Sequence, residues 1–233
     1  MNKLGFAFIL ARRGSKGLER KNIRHLGGKP LIEWTLEYLH MSPLVDKICV
    51  STNDEIILDR YDSKYSKKII NHCRPESLCG DFVTTEEVLL NICEYLSDEI
   101  TQDHFGIYMQ ITEPFRPKTI LEQCYNKYCH GNFDSVFAAT EYHKNFWKEE
   151  NNILTRMNSI TEFNYPRQIK QPIIREDTGI CLVADIGLFS NGRRIGDKPG
   201  CVIYDHPGKY IDIHSKDDLA LAESLLLNNS LNN

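Results

Sequence analysis

A short segment near the N-terminus gathers side chains that could do chemistry on a charged substrate. The apolar run Leu4–Ala11 is followed at once by a loop that contains small residues, one hydroxyl and many cations. The formal net charge of the chain is -4, so this positive charge is local and not a property of the whole protein. A local group of cations at the end of a strand predicts a phosphate-binding site. The cations are Arg12, Arg13, Lys16, Arg20, Lys21 and Arg24.

The residue types in this loop suit a triphosphate. Arg12 can clamp two phosphate oxygens, Lys21 supplies a mobile point charge, and the amides of Gly14–Gly17 can form an anion-binding nest. Departure of pyrophosphate demands cations that follow the developing negative charge. The loop is neither a Walker A motif nor a dinucleotide fingerprint, because both glycine patterns are absent. A solvated basic surface loop is the alternative, and the apolar strand before the loop argues against it.

Length and composition limit the classes to which the protein can belong. The chain has 233 residues, 41% of them hydrophobic and 26% charged, which predicts one soluble globular domain over residues 1–233. Its mild acidity argues against a nucleic-acid partner. No segment reaches the ~20 apolar residues of a membrane span, so no membrane partner is expected. The eight cysteines form no C-x-x-C pair, and the cytoplasm is the expected compartment.

The elements that must position the loop alternate between strand-like and helix-like patterns. Pro30 opens one helical pattern, Thr84 with Glu87 and Ser215 with Asp218 are capping signatures of two others, and a fourth helix is predicted over 118–130. Such alternation predicts an α/β fold, with a mostly parallel sheet, helices on both faces and ligands at the carboxyl ends of the strands. Strands are predicted at Leu4–Ala11, Lys47–Ser51, Lys68–Cys73, Phe105–Ile111, Ser135–Thr140, Ile180–Ala184, Cys201–Tyr204 and Tyr210–Ile213.

Residues 141–178 interrupt this rhythm. They are polar, rich in Asn and Lys, and carry aromatic residues such as Trp147, Phe163 and Tyr165 without clear periodicity. Long segments of this kind are usually functional or disordered. We interpret the segment as an arm that leaves the main sheet and forms a dimer, with an exposed loop as the alternative.

The cationic loop also matches a known pattern. It reads A-R-x-G-S-K-G-L-x-x-K-N from Ala11 to Asn22, which resembles the signature loop of the CMP-N-acylneuraminate synthetases. The resemblance covers most of residues 4–227 in order, and its first loop is the most specific part. Further matches are Leu26–Ile32, Val50–Thr52, Arg74–Leu78 with Asp81, Gln110–Arg116, and Asp212–Ser215 with Asp218 and Leu219.

This resemblance implies a three-layer α/β/α, Rossmann-like nucleotide-diphospho-sugar transferase fold with a protruding dimerisation arm, and a homodimer. It implies CTP and a sialic-type nonulosonic acid as substrates, Mg²⁺ (or Mn²⁺) as cofactor, and a product used for surface polysaccharide or glycan synthesis. By the same resemblance, Arg12, Ser15, Lys21, Asn22, Arg74 and Asp81 bind the nucleotide, and Gln110, Arg167 and Arg175 bind the sugar acid.

The expected metal site lies near the C-terminus. Asp212 ends a predicted strand, and Mg²⁺ at phosphates prefers one or two carboxylates together with phosphate oxygens. The family motif is D-x-D, and this chain has His214 at its second position. His214 is a weaker metal ligand, a base near neutral pH or a packing residue at the start of the last helix, and the sequence leaves the three open.

Three further positions, in two segments, depart from the family pattern and concern the acceptor. The usual T-S-P-L-R is Thr112-Glu113-Pro114-Phe115-Arg116 here, and Thr178 replaces an asparagine. The expected catalytic residues are Arg12, Lys21 and Asp212, which stabilise pyrophosphate while the anomeric hydroxyl attacks the α-phosphate. Alternatives are a cytidylyltransferase for an eight-carbon sugar acid or a phosphonate, a non-catalytic nucleotide-sugar-binding protein, and a small RNA-binding module.

Overall fold

A computed structural model describes residues 3–65, 67–101, 103–157 and 166–228. Helices in these ranges are α1 (Leu31–Met41), α2 (Glu55–Lys64), α3 (Thr85–Tyr95), α4 (Ile120–His130), α5 (Ile186–Ser190) and α6 (Lys216–Leu227). The strands are β1 (Leu4–Leu10), β2 (His25–Leu26), β3 (Lys29–Pro30), β4 (Val45–Thr52), β5 (Ile69–Cys73), β6 (His104–Tyr108), β7 (Ser135–Tyr142), β8 (Trp147–Glu150), β9 (Ile153–Arg156), β10 (Ile173–Glu176), β11 (Leu182–Asp185) and β12 (Pro199–Ile203).

The main sheet of the described residues has eight strands, in the order β10-β7-β11-β6-β1-β4-β5, with β12 also paired to β7. Parallel pairs join β1 with β4 and β6, β4 with β5, and β7 with β12. Strand β11 is antiparallel to both of its neighbours, and β10 is antiparallel to β7. The carboxyl ends of β1, β4, β5 and β6 therefore meet at one edge, which is where ligands bind in sheets of this kind.

Strand β1 lies at the centre because its side chains are apolar on both faces. Ala7 and Ile9 belong to one buried cluster, and Phe6 and Phe8 belong to another. Side chains alternate across a strand, so one continuous apolar run supplies both layers of the core. The first cluster packs with α1 and α4, and the second packs with α3 and α5. The predicted sheet with helices on both faces is confirmed.

The predicted helix starts are also present. Pro30 directly precedes α1, and capping boxes form at Thr84 with Glu87 and at Ser215 with Asp218. In each box the hydroxyl accepts the third backbone N–H of the helix, while the acidic side chain accepts the N–H of the capping residue. No helix in the described ranges combines the length and apolar character that crossing a bilayer requires.

The prediction of a strand at Tyr210–Ile213 is wrong. The segment belongs to no sheet: Tyr210 lies in a turn in which the N–H of Ile211 donates to the oxygen of Gly208 at 3.0 Å, and the N–H of Ile213 donates to the oxygen of Thr112 at 2.8 Å. Ile211 and Ile213 are buried, whereas Tyr210 and Asp212 are exposed. The alternation in the sequence therefore corresponds to alternating burial, but it comes from a segment packed on the core rather than from strand pairing.

The segment 141–178 begins and ends in the main sheet, since β7 runs to Tyr142 and β10 pairs with β7. Between them, β8 and β9 form a separate antiparallel hairpin. Apolar side chains of this hairpin, including Trp147, Ile153 and Leu154, are exposed. Phe163 and Tyr165 lie outside the described residues.

Candidate active site

A cavity of about 420 Å³ opens at the edge where β1, β5 and β6 end, and we call it the first cavity. Gln110 and His214 also line it. All the residues that the resemblance assigns to the nucleotide lie in its wall, namely Arg12, Ser15, Lys21, Asn22, Arg74 and Asp81. Three cations of the loop, Arg12, Lys16 and Lys21, therefore line a concave site, whereas Arg13 and Arg24 are exposed outside it.

The side chain of Arg12 is held by contacts with the segment that follows β5. Its Nη1 donates to the oxygen of Cys79 at 2.9 Å, and its Nη2 lies 3.0 Å from Oδ1 of Asp81. The other oxygen of Asp81 lies 2.6 Å from Nζ of Lys16. These hydrogen bonds, from Lys16 first and Arg12 second, lower the pKa of Asp81. The side chain of Asn22 donates to the oxygen of Arg12 at 3.0 Å, which fixes the backbone at the start of the loop.

Lys21 connects the loop to the C-terminal motif. Its Nζ lies 3.4 Å from Nδ1 of His214, whose Nε2 lies 2.9 Å from Oδ1 of Asp212. Burial lowers the pKa of Lys21 and Arg12 adds to this effect, while the carboxylates of Asp212 and Asp218 oppose it. The cations of the loop and the C-terminal aspartate therefore meet on one side of the molecule.

The cationic loop and the C-terminal segment also lie close together at their backbones. A Cβ built on Gly17 would lie 2.3 Å from the carbonyl oxygen of His214. Only glycine lets the loop lie this close to the C-terminal segment without displacing it.

Arg74 is buried at the back of the first cavity. Its Nε donates to the hydroxyl of Ser51 at 3.0 Å, and its Nη2 donates to the backbone oxygen of the same residue at 2.9 Å. Burial is the main cause that lowers the pKa of Arg74 to about 10. A guanidinium held by neutral oxygens keeps donors available for an acceptor atom in the cavity.

A second cavity, of about 300 Å³, adjoins the first and shares Gln110 with it. Arg175 and Asp212 line the second cavity. The guanidinium of Arg175 donates to Oδ1 of Asp177 at 2.5 Å, to the hydroxyl of Tyr142 at 2.9 Å and to the oxygen of Lys209 at 2.8 Å. Two of the three residues expected to bind the sugar acid, Gln110 and Arg175, thus lie together.

Arg167 is the third of these residues, and the structure does not relate it to the cavity. Its backbone lies in a 3-10 turn at Arg167–Ile169, and its side chain is outside the described part of the chain.

Sequence reasoning missed Glu113 and Arg194. Glu113 lines the second cavity, and burial, followed by the charge of Asp212, raises its pKa to about 7. The signal for it was the departure from T-S-P-L-R. Arg194 donates to Glu86 at 2.6 Å and to the hydroxyl of Thr178 at 3.3 Å, and no motif indicated it.

The donors around Asp212 suit Mg²⁺ only in company with phosphate. Among the described residues, no three His, Cys, Asp or Glu side chains are grouped as a complete metal site. The local set is the carboxylate of Asp212, one oxygen of which faces His214. One carboxylate with phosphate oxygens and water is a set that Mg²⁺ accepts at nucleotide sites. The residues therefore fit a metal that arrives with a triphosphate.

Comparison with known proteins adds independent findings. A family model described as cytidylyltransferase matches residues 6–183, more than half of the chain. The pseudaminic acid cytidylyltransferase of Campylobacter jejuni subsp. jejuni serotype O:2 is 35% identical over 149 residues, which cover 62% of this chain and 63% of that protein. The N-acylneuraminate cytidylyltransferase of Streptococcus agalactiae serotype III is 34% identical over 142 residues, 58% of this chain and 32% of that protein. The matches span less than two thirds of the length of these relatives.

A solved structure shares the fold over nearly the whole chain. The 4-diphosphocytidyl-2C-methyl-D-erythritol synthase of Anaerococcus prevotii superposes with a TM-score of 0.69, at 15% identity and over 97% of each chain. At this identity the likeness shows the fold alone, and that fold is the Rossmann-like one that the sequence resemblance implied.

Proposed function

The chain belongs to the cytidylyltransferase family, and from this premise we propose that it joins CTP to a sialic-type nonulosonic acid, giving the CMP-sugar and pyrophosphate. The names of the two relatives described above contain acids of this class, pseudaminic acid and N-acylneuraminate. The acceptor's anomeric hydroxyl attacks the α-phosphorus, the bond from that phosphorus to the bridging oxygen breaks, and the hydroxyl proton is released.

The contact between the cationic loop and the C-terminal motif is the observation that carries this proposal. Lys21, His214 and Asp212 are linked through distances of 3.4 and 2.9 Å at the boundary of two adjoining cavities. The first cavity has the cations that a triphosphate requires, and the second has room and polar groups for an acceptor. Gln110 borders both, so an acceptor in the second cavity would face a nucleotide in the first.

The residues of this chain would act mainly through positioning and charge. Arg12 and Lys21 would hold the β- and γ-phosphates and stabilise the charge on departing pyrophosphate. Ser15 and Asn22 would complete the loop around the phosphates, while Arg74 and Asp81 would orient the base and ribose. Asp212 would hold Mg²⁺ or Mn²⁺, which supplies Lewis-acid polarisation of phosphate oxygens when bound. Gln110, Arg167 and Arg175 would hold the sugar acid.

The proposal also includes a homodimer and a cytoplasmic location. The exposed apolar residues of the β8–β9 hairpin support dimerisation through the segment 141–178. Sedimentation of the protein at the mass of one chain would contradict the dimer, and recovery outside the cytoplasmic fraction of its cells would contradict the location.

Nucleic acid is not a proposed partner, and RNA binding that falls steeply with salt would contradict this.

The test is pyrophosphate release with each of the four nucleoside triphosphates, crossed with nine-carbon sugar acids, an eight-carbon sugar acid and a phosphonate. We expect release with CTP and a nine-carbon acid, and none in the presence of a chelator. Faster release with the eight-carbon acid or the phosphonate would assign the other acceptor class. CTP binding without release from any pair would indicate a non-catalytic binding protein.

A further inference from the structure

We propose that Glu113 determines acceptor specificity, because its carboxylate is placed to accept a hydrogen bond from an N–H or O–H group of the acceptor. This inference rests on the proposed function and names one recognition element within it. The donor on the acceptor is an acylamino N–H or a hydroxyl.

The position of Glu113 is set by close contact with Gly179. A Cβ built on Gly179 would lie 1.5 Å from Oε2 of Glu113 and 3.0 Å from Cδ of Gln110. The carboxylate therefore rests on the glycine backbone, in the space that any other side chain would fill. All three residues line the second cavity, which places the carboxylate in its wall.

The loop that carries Glu113 is held rigidly by Arg116. This buried guanidinium donates to the oxygen of Ile180 at 2.9 Å, to the hydroxyl of Thr35 at 3.0 Å and to the oxygen of Gly179 at 3.1 Å. It also donates to the oxygen of Gln110. These bonds tie both sides of the cavity wall together. A group fixed in this way can discriminate between ligands, because it does not move to suit a poor one.

The two cations that line the second cavity already have acidic partners. Arg175 is paired with Asp177 at 2.5 Å, and Lys209 is paired with Asp205 at 2.7 Å. Glu113 makes no hydrogen bond or ion pair with any described residue. A partly buried carboxylate without a donor is unfavourable, and a ligand that brings the donor removes this cost.

The chemistry of the acceptor follows from this imbalance. Glu113 would repel the carboxylate of a sugar acid, so that end of the acceptor must lie elsewhere, and a substituent with a donor must face Glu113. Burial, followed by the charge of Asp212, raises the pKa of Glu113 to about 7, and the charges of Arg116 and Arg175 only partly oppose this shift. The serine that the related motif has at this position could not accept a hydrogen bond with the same strength.

The experiment measures KM for acceptor and for CTP in the unmodified protein, Glu113→Gln and Glu113→Ser. The acceptors are nine-carbon sugar acids with two, one or no acylamino groups, together with an analogue in which the same positions are deoxygenated. Glu122→Gln, an exposed carboxylate on α4, is the control. Thermal unfolding of each variant shows that it is folded, and the serine variant covers a failure of the glutamine variant to fold.

We expect both Glu113 variants to raise the acceptor KM at least about tenfold, with the KM for CTP changed less than about twofold. The rise in KM should disappear for the acceptor that lacks the donor. If the rise persists with acceptors that have hydroxyls but no acylamino groups, the donor is an O–H rather than an N–H group. An unchanged acceptor KM in both variants would overturn the inference while leaving the cytidylyltransferase proposal intact. A higher Mg²⁺ requirement alone, or a lower kcat with every acceptor, would also overturn it. No turnover by the unmodified protein would remove both.

Discussion

At the scale of single residues, Lys21 occupies the most informative position. Its ammonium contacts His214 of the His214–Asp212 pair and is subject to the positive charge of Arg12. Burial and the neighbouring guanidinium disfavour its charge in the free protein, which lowers its pKa. A bound triphosphate would reverse this balance, since its oxygens supply the counter-charge. Lys21 is thus suited to gain interaction energy as negative charge develops on the leaving pyrophosphate.

Replacing Lys21 by alanine should lower kcat by more than tenfold, equivalent to more than about 1.4 kcal/mol of transition-state stabilisation. The measurement is steady-state pyrophosphate release with CTP and a nine-carbon sugar acid. Lys118→Ala removes an exposed lysine that lines neither cavity and should retain the unmodified rate. A Lys21→Ala protein with a normal rate would exclude this residue from the mechanism.

The sequence predicted which residues belong to this site better than it predicted which of them are in contact. Arg12 and Lys21 stood out because cations cluster beside an apolar strand. The contact of Lys21 with His214 spans 193 positions of the chain, so no local pattern contains it. Glu113 was visible only as a departure from a motif, because the burial that gives it importance arises from Gly179 and Gln110 in the folded chain.

At the scale of elements, the site depends on how closely one loop approaches another segment. The loop after β1 and the segment before α6 meet where Gly17 lies against the carbonyl of His214. The second segment is anchored by the bond between Ile213 and Thr112, and by Asp218, which accepts the N–H of His214 at 3.0 Å. The segment before α6 is therefore fixed before a ligand arrives.

Gly17→Ala should force these two segments apart, because the new Cβ would lie 2.3 Å from a backbone oxygen. We expect kcat/KM for CTP to fall at least about tenfold, as misplacement of about 1 Å can cost more than this. Gly14→Ala is the matched control in the same loop, since a Cβ there meets no atom within 4 Å. Equal behaviour of the two variants in a CTP titration would show that the close approach is irrelevant.

The helices and strands were largely predictable from the sequence. The physical reasons also explain why the strand at Tyr210–Ile213 was wrongly predicted. The buried strand β1 is a continuous apolar run, and the starts of α3 and α6 carry capping boxes. Tyr210–Ile213 has the alternation of a strand, but nothing in its own sequence says that no neighbouring strand is available. Pairing is a property of the sheet, and the sequence of one segment does not contain it.

At the scale of the whole molecule, the sheet order brings distant parts of the chain to one edge. Parallel strands β1, β5 and β6 direct their following loops to the first cavity, and the antiparallel β11 places Gly179 and Thr178, just before it, beside the second. Parallel and antiparallel pairing in one sheet thus produces two adjoining cavities instead of one. The arrangement suits a reaction that joins two substrates in line.

The central claim is that the cations after β1 and the aspartate before α6 hold one nucleotide and its metal together. A crystal structure of the protein with CTP and Mn²⁺ tests this most directly, since anomalous scattering locates the metal. We predict the triphosphate in the first cavity against Arg12 and Lys21, with the manganese bound by phosphate oxygens and Asp212. A nucleotide bound elsewhere, or a metal held away from Asp212, would contradict the claim.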